Sequence, residues 1–267
     1  MVIHAPQAFN RQKKKAFVCD LDGTLFVGSH PIGPAVQFVK DHADAYAFYY
    51  LTNNTSKTPA AYLEKLRGAG IRTDESQILT PLITLEAYIR EKGYASVYAV
   101  ANTIVHGHLC GQLPAVRFAY EPSENQLVAL TYDTELTYEK LRRAAALLNA
   151  DPSLDYVTTH GDACCPSEDG PVPDVGGLIA LMRTTNGREP NHIFGKPSPT
   201  LLAPVLRQFQ KEQIAVVGDR LYTDKEMADR AGVDFVCVLS GETTRASLAA
   251  YCGKPPAAVL ETLGDLA

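Results

Sequence analysis

The chain lacks tryptophan and has only three methionines among its 267 residues. It also has no apolar run that approaches the roughly 20 residues needed by a membrane-spanning helix. Its first 15 residues contain no apolar signal core ahead of the basic cluster at residues 13–15. We therefore expect a cytoplasmic protein with no membrane partner, and we expect the basic cluster to be a solvated lead-in to the first strand.

Long basic stretches and paired cysteines are missing as well. A formal net charge of -5 without a basic run argues against nucleic acid as a partner. The six cysteines are scattered and show no C-x-x-C spacing typical of zinc sites, so free thiols are expected. Cys19 and Cys237 fall in apolar, strand-like runs, which predicts core positions. The role of the neighbours Cys164 and Cys165 stays open.

Strand-like and helix-like segments alternate along the chain, and no internal repeat or long linker interrupts them. Strands are predicted near 16–19, 46–51, 97–101, 127–131, 155–159, 192–194, 214–218 and 235–238. Helices are predicted near 34–43, 58–69, 81–92, 103–111, 137–149, 175–186, 199–209, 223–231 and 244–251. This alternation is typical of an α/β fold with a mostly parallel sheet.

Two carboxylates stand at the end of the first predicted strand, in the segment CDLDGTL at residues 19–25. Asp20 and Asp22 would lie on one side of the sheet if the strand continued, but Gly23 suggests that the chain turns there. Such a turn could present one side chain and one backbone carbonyl to a shared metal. The structural alternative is an Asp-Gly turn that caps a hairpin.

Three later segments also place polar groups where strands end. The run that ends at Leu51 is followed by TNNTS at residues 52–56 and a helical pattern, which is anion-binding chemistry at a helix N-terminus. Lys196 lies in a proline-stiffened turn that limits where its ammonium can point. The strand-like run before Asp219 ends in glycine and acid, and Asp224 adds a second acid five residues later.

In chain order, the four motifs resemble those of the haloacid dehalogenase (HAD) superfamily of phosphatases. The segments LTNN at residues 51–54, GKPSP at 195–199 and GDR at 218–220 are similar, more narrowly, to subfamily IIA. That group includes para-nitrophenyl phosphatase-like, sugar-phosphate and nucleotide phosphatases. The resemblance covers most of the chain and implies a Rossmann-like parallel-sheet HAD core with a large inserted α/β cap domain.

The insertion is placed by chemistry, because Thr52 and Lys196 should meet in one site although they are far apart in sequence. Residues 81–190 contain their own strand-helix units, enough for a small domain. We therefore predict a catalytic core at 1–80 and 191–267, and a cap at 81–190 that selects the substrate. Caps of this subfamily often mediate dimers, so a homodimer through the cap is a further expectation.

The resemblance implies that Asp20 is the nucleophile and forms an aspartyl-phosphate intermediate. Asp22 would be the general acid for the leaving group and then the general base for water. The implied cofactor is Mg²⁺, held by Asp20, the backbone carbonyl of Asp22 and Asp219.

The same resemblance gives roles to four further residues. Lys196 would offset charge on the nucleophile and on the transferring phosphoryl group, while Thr52 and Asn53 would donate hydrogen bonds to phosphate oxygens. Asp224 would hold Lys196 or a metal-bound water in place. The alternative for Asp224 is capping of the helix that follows.

Two cap residues are candidates for substrate selection. Where relatives usually carry Ala-Thr-Asn and then an acid two positions on, this chain has His160 in place of the asparagine and keeps Asp162. His160 is either a substrate contact or a surface loop histidine. Tyr132, where relatives often show glycine, puts any transferred substrate preference in doubt.

The predicted function is therefore a Mg²⁺-dependent phosphatase that acts on a small phosphorylated metabolite, either a sugar phosphate or a nucleotide. Dehalogenase members lack the second acid, here Asp22, and the metal site. The alternative from another class is a non-catalytic HAD-fold module that binds a phosphometabolite or a protein.

Overall fold

The structure, a computed structural model, describes residues 9–120, 126–165 and 170–266. The other stretches, which the predicted domain division also covers, lie outside the described residues. The chain divides into two compact units. Unit 1 contains the described residues up to Thr52, then Ala60–Leu79, and those from Lys196 onward. Unit 2 contains Asn53–Pro59 and Thr80–Gly195.

Residues 53–59, 80 and 191–195, which the sequence division assigned to the core, belong to unit 2. Hydrogen bonds explain the difference. The hydroxyl of Thr55 lies 2.9 Å from the hydroxyl of Thr159 and accepts a 3.0 Å hydrogen bond from the backbone N–H of Tyr132. The N–H of Gly195 donates to the carbonyl of Thr159 over 2.6 Å.

Regular elements follow the predicted alternation. The strands are β1 (Ala16–Asp20), β2 (Phe26–Val27), β3 (His30–Pro31), β4 (Ala47–Leu51), β5 (Ile78–Leu79), β6 (Ser96–Val100), β7 (Arg117–Phe118), β8 (Gln126–Leu130), β9 (Asp155–Thr158), β10 (Cys164–Cys165), β11 (Val172–Pro173), β12 (His192–Ile193), β13 (Ile214–Gly218), β14 (Asp234–Val238) and β15 (Ala258–Leu260). The helices are α1 (Gly33–Asp41), α2 (Pro59–Gly68), α3 (Pro81–Lys92), α4 (Thr103–Gln112), α5 (Tyr138–Ala150), α6 (Val175–Asn186), α7 (Ala203–Leu206), α8 (Glu226–Ala231) and α9 (Arg245–Ala249).

Unit 1 is built on a six-stranded parallel sheet with the order β15-β14-β13-β1-β4-β5. In the register, Ala16 of β1 lies between Ile214 of β13 and Ala47 of β4. The carboxyl ends of these three neighbouring strands therefore lie at one edge, where parallel α/β sheets bind ligands. Asp20 ends β1, and Thr52 and Asp219 directly follow the other two strands.

Helices cover both faces of this sheet. Neighbouring side chains of a strand point to opposite faces, so each strand packs against both helix layers. Phe17 and Cys19 pack in a core with side chains of α1 and α2, whereas Ala16 and Val18 pack with side chains of α7 and α8. Cys19 and Cys237 are fully buried, which confirms the predicted core positions. Continuous burial of β1 and β13 is typical of a parallel sheet between two helix layers.

The prediction that the basic cluster at residues 13–15 is solvated is wrong for Lys14. Lys14 is only 5% exposed rather than solvated. Its Nζ donates to Oδ2 of Asp234 over 2.5 Å and to the carbonyls of Glu212 and Ile214 over 2.8 and 3.2 Å. Burial of this ammonium is tolerated because all three contacts satisfy its N–H groups.

Unit 2 contains a five-stranded parallel sheet with the order β12-β9-β8-β6-β7. One face packs against α3 and α4 and the other against α5 and α6. The α/β fold with Rossmann-like parallel sheets is thus confirmed. Within the described ranges, no helix has the length and apolar character needed to cross a membrane.

Candidate active site

The strand β1 ends at Asp20 because the chain turns sharply after it. Gly23 has φ +88°, and its N–H donates to the carbonyl of Phe26 over 2.7 Å. This turn separates the two carboxylates of the motif. Asp20 is 5% exposed, whereas the Asp22 side chain is 47% exposed, with Oδ1 3.3 Å from Nζ of Lys65. One acid is therefore buried in the site and the other faces solvent.

Lys196 joins two buried carboxylates. Its Nζ lies 2.5 Å from Oδ1 of Asp20 and 2.7 Å from Oδ1 of Asp224. Oδ2 of Asp224 accepts a 3.2 Å hydrogen bond from the N–H of Arg220. Both oxygens of Asp224 are therefore engaged, while Oδ2 of Asp20 makes no hydrogen bond within the described part of the chain.

Asp219 directly follows β13 and is 2% exposed. Its Oδ2 accepts a 2.7 Å hydrogen bond from the N–H of Glu242. Its Oδ1 is buried without a hydrogen-bond partner among the described residues. Glycines make room for this carboxylate, since a Cβ at Gly23 or at Gly241 would overlap Oδ2 of Asp219.

Burial and like charge dominate the electrostatics of the site. Burial, with a further contribution from the charge of Asp224, raises the pKa of Asp219 to about 6. Burial also raises the pKa of Asp20, although the Lys196 charge opposes it. Burial alone would lower the pKa of the Lys196 ammonium, but the charges of Asp20 and Asp224 outweigh that effect and raise it. The site thus holds more negative charge than one ammonium can balance.

This donor set fits a hard divalent cation. Ligand oxygens of Asp20, Asp219 and Asp224 all lie within 4.8 Å of one another. Because Asp224 is committed to Lys196 and Arg220, Asp20 and Asp219 are the carboxylates left to bind a metal. Carboxylate oxygens are the ligands that Mg²⁺ and Ca²⁺ prefer, and a cation here would satisfy the orphan Oδ1 of Asp219.

The two predicted phosphate ligands fall on either side of a unit boundary. Thr52 is 2% exposed, and its N–H donates to the carbonyl of Leu79 over 3.1 Å in unit 1. Thr52 follows Leu51, which is the register partner of Asp20. Asn53 belongs to unit 2, where its Nδ2 donates to Oδ2 of Asp162 over 3.0 Å.

His160 is fully buried in unit 2, so its interpretation as a surface loop histidine is wrong. Its Nδ1 lies 3.6 Å from Oδ2 of Asp162, and its Nε2 lies 3.5 Å from Oδ1 of Asp174. Asp174 caps α6 by accepting a 2.7 Å hydrogen bond from the N–H of Val175. Two carboxylates therefore flank the imidazole that replaces the family's asparagine.

Sequence reasoning missed Asp174, Gly241 and Glu242. Asp174 carries the only local signal, because an acid directly before a helical pattern is a common N-cap. Gly241 and Glu242 lie beyond the end of β14 with no motif around them. Gly241 leaves room for the Asp219 carboxylate, and Glu242 donates its backbone N–H to it. Neither contribution depends on a recognisable side chain.

Comparison with known proteins places the chain. Residues 17–110 match the model of the haloacid dehalogenase-like hydrolases, and residues 193–266 match a second, HAD-hydrolase-like model. An acid sugar phosphatase of Staphylococcus haemolyticus is 31% identical over 236 residues, which is 86% of this chain and 87% of that protein.

Solved structures are similar over nearly the whole chain. The 4-nitrophenylphosphatase of Thermotoga maritima matches with a TM-score of 0.87 and 32% identity, over 96% of this chain and 97% of that one. A glycerol phosphate phosphatase of Mycobacterium tuberculosis, solved in complex with calcium, matches with a TM-score of 0.83 and 25% identity, over 97% of this chain and 76% of that one. The chain therefore belongs to the haloacid dehalogenase-like hydrolases, in the phosphatase subfamily IIA that its motifs indicate.

Proposed function

We propose that this protein is a Mg²⁺-dependent phosphatase that hydrolyses a small phosphorylated metabolite through an aspartyl-phosphate intermediate. The observation that carries the proposal is the buried Asp20, which has one oxygen on Lys196 and the other without a hydrogen bond to any described residue. Two relatives, an acid sugar phosphatase and a 4-nitrophenylphosphatase, support phosphate monoesters as the substrate class.

In the first step, Oδ2 of Asp20 attacks phosphorus and the bond from phosphorus to the ester oxygen breaks. The hydrogen bond from Nζ of Lys196 to Oδ1 keeps the Asp20 carboxylate oriented, and the ammonium offsets its charge. Asp22, at the solvent side of the turn, protonates the departing alcohol oxygen.

In the second step, water attacks the phosphorus of the aspartyl phosphate, and the bond from phosphorus to the Asp20 oxygen breaks. Asp22 accepts the proton of that water, so both residues return to their starting states. Inorganic phosphate leaves as the product.

Asp20, the backbone carbonyl of Asp22 and Asp219 would hold the divalent cation. When bound, Mg²⁺ would neutralise negative charge between the nucleophile and the phosphate. The buried Oδ1 of Asp219 supports this assignment, and so does the calcium in the related glycerol phosphate phosphatase. Asp224 would act through Lys196, whose ammonium it holds.

Thr52 and Asn53 would bind the phosphate oxygens of the substrate. We assign unit 2 as the cap that selects the rest of the substrate. His160 and Asp162 are its candidate specificity residues, because Asn53 donates a hydrogen bond to Asp162 and the same carboxylate lies 3.6 Å from Nδ1 of His160. A sugar phosphate is the first substrate class to try, given the curated relative.

The test is phosphate release from sugar phosphates, nucleoside monophosphates and para-nitrophenyl phosphate, with Mg²⁺ or with EDTA. We expect metal-dependent release that Asp20→Asn lowers by about 10³-fold or more. Asp44→Asn, which changes an exposed carboxylate, is the matched control and should keep full activity. Metabolite binding without turnover by the Mg²⁺-loaded protein would favour the non-catalytic alternative.

A further inference from the structure

A cavity of about 390 Å³ opens in unit 1, away from the catalytic carboxylates. Its lining includes Lys14, Glu212, Asp234 and Ala257, which begin β1, β13, β14 and β15 or lie within two residues of their starts. It therefore lies at the amino ends of these parallel strands, whereas Asp20 and the other catalytic candidates lie at the carboxyl ends. Its volume is within the range of about 300–1,000 Å³ typical of small-molecule sites.

Two buried lysines line this cavity, and each is already neutralised. Lys14 is paired with Asp234 over 2.5 Å. Lys225, 1% exposed, is paired with Asp229 one helical turn later. These pairs fix the shape of the cavity but contribute little net charge.

Three further lysines give the cavity its positive excess. Lys13, Lys211 and Lys254 line it, are exposed, and form no ion pair within the described ranges. Glu212 is the one lining acid outside these two lysine–aspartate pairs. The ammonium of Lys211 lies over Gly232, where a Cβ would come within 3.4 Å of Nζ. Unpaired ammonium groups that converge on a concave surface attract anions.

The cavity lining also includes apolar residues. Phe9 is half-buried and Pro255 is exposed, whereas Val233, Phe235 and Pro256 are buried. A free inorganic anion would leave this surface unused, whereas a ligand with a flat or apolar portion would cover it and release water. The combination of a cationic rim and an apolar wall is suited to an anion attached to an organic group.

We propose that this cavity is a second ligand site, which binds a nucleotide-sized organic phosphate at the amino edge of the unit 1 sheet. Lys13, Lys211 and Lys254 contact the phosphate oxygens as mobile point charges, and the accessible side chains of Phe9 and Pro255 contact the organic portion. More than one phosphate charge is needed to balance the three ammonium groups. The site is independent of the catalytic assignment and does not use its residues.

The experiment is isothermal titration calorimetry with ADP as the probe. The Asp20→Asn protein prevents turnover, and EDTA removes the metal that would assist binding at the catalytic site. The double variant Lys211→Glu/Lys254→Glu, made in the Asp20→Asn background, should bind ADP about tenfold or more weakly. The matched control Lys40→Glu/Lys92→Glu changes the net charge equally at exposed positions outside the cavity and should bind normally.

Inorganic phosphate and adenosine are the comparison ligands, and both should bind much more weakly than ADP. The proposal is overturned if ADP does not bind at millimolar concentration, if both double variants bind equally, or if inorganic phosphate binds as tightly as ADP. Circular dichroism checks that the variants fold, and Lys13→Glu provides a second test at an exposed position on the chain before β1.

Discussion

Nζ of Lys196 lies 2.5 Å from Oδ1 of Asp20, which stands 176 positions earlier in the chain. The same ammonium contacts Asp224, whose second oxygen is held by the backbone of Arg220. Asp224 therefore holds the lysine on one side, and the lysine orients Asp20, the proposed nucleophile, on the other. This arrangement keeps Lys196 on one Asp20 oxygen and leaves the other for the proposed attack, and its consequences can be measured residue by residue.

Replacement Lys196→Met should lower both stability and activity. Without the ammonium, Asp20 and Asp224 remain buried without a counter-charge, so the free energy of unfolding should fall by about 3–5 kcal/mol in metal-free protein. Urea denaturation in EDTA measures this loss. Lys65→Met is the control, because its pair with the half-exposed Asp22 should contribute less than about 1 kcal/mol. Equal losses in the two variants would contradict the role of burial.

Replacement Asp219→Asn should weaken metal binding. The buried Oδ1 of Asp219 lacks a hydrogen-bond partner among the described residues, and the cation is expected to occupy that position. The Mg²⁺ concentration for half-maximal rate should rise by about 10- to 100-fold. Mg²⁺ should also raise the melting temperature of the native protein more than that of the variant. An unchanged Mg²⁺ response would remove Asp219 from the metal site.

The raised pKa of Asp219 also predicts how metal-free stability depends on pH. The folded-state pKa of about 6 exceeds the usual value of 3.8, so the folded state binds the proton more tightly than the unfolded state. Stability from this group is therefore fully present below about pH 4 and is lost as pH rises through 6. Asn mimics the protonated acid. Between pH 4 and 7 in EDTA, the free energy of unfolding of the Asp219→Asn variant should therefore rise relative to that of the native protein, by up to about 3 kcal/mol.

Denaturation of both proteins at several pH values in EDTA measures that difference. The difference between them should level off above pH 7, where the carboxylate is fully ionised. If the free energy of unfolding of the native protein instead rose relative to that of the variant as pH rose, the surroundings would stabilise the ionised carboxylate, which would contradict the raised pKa.

Replacement Gly241→Ala should reduce activity although no functional group is lost. The added Cβ would overlap the carboxylate of Asp219 and force it to move. Because displacements near 1 Å can cost about 100-fold in rate, we expect a loss of that order. Gly33→Ala is the control, since a Cβ there meets nothing within 4 Å. Comparable activity of the two variants would contradict the close fit around Asp219.

Much of the fold could be predicted because its long elements have clear periodicity. Strands such as β1 and β13 are continuous apolar runs, and each of the eight predicted strands is present. The pairs β2–β3 and β10–β11 were missed, since two residues per strand carry no measurable period. The edge strand β15, with three residues, was missed for the same reason.

The placement of Asp20, Thr52 and Asp219 at one edge was predictable because they end or directly follow strands of one parallel sheet. Burial of individual polar side chains was not. Lys14 is buried through Asp234, 220 positions away, and His160 is flanked by Asp162 and by Asp174 from the start of a later helix. Such pairs depend on how segments meet in three dimensions, which local patterns do not encode.

The short segment Asn53–Pro59 has a consequence for dissecting the protein. A gene fragment that encodes residues 80–195 alone would contain every strand of the unit 2 sheet. It would lack Thr55 and Ser56, whose oxygens accept hydrogen bonds from the N–H of Tyr132 and from Nδ2 of Asn102. A fragment cut at residues 80 and 195 would thus lose two hydrogen-bond acceptors of unit 2. An independently folding version of unit 2 needs the seven residues Asn53–Pro59 as well.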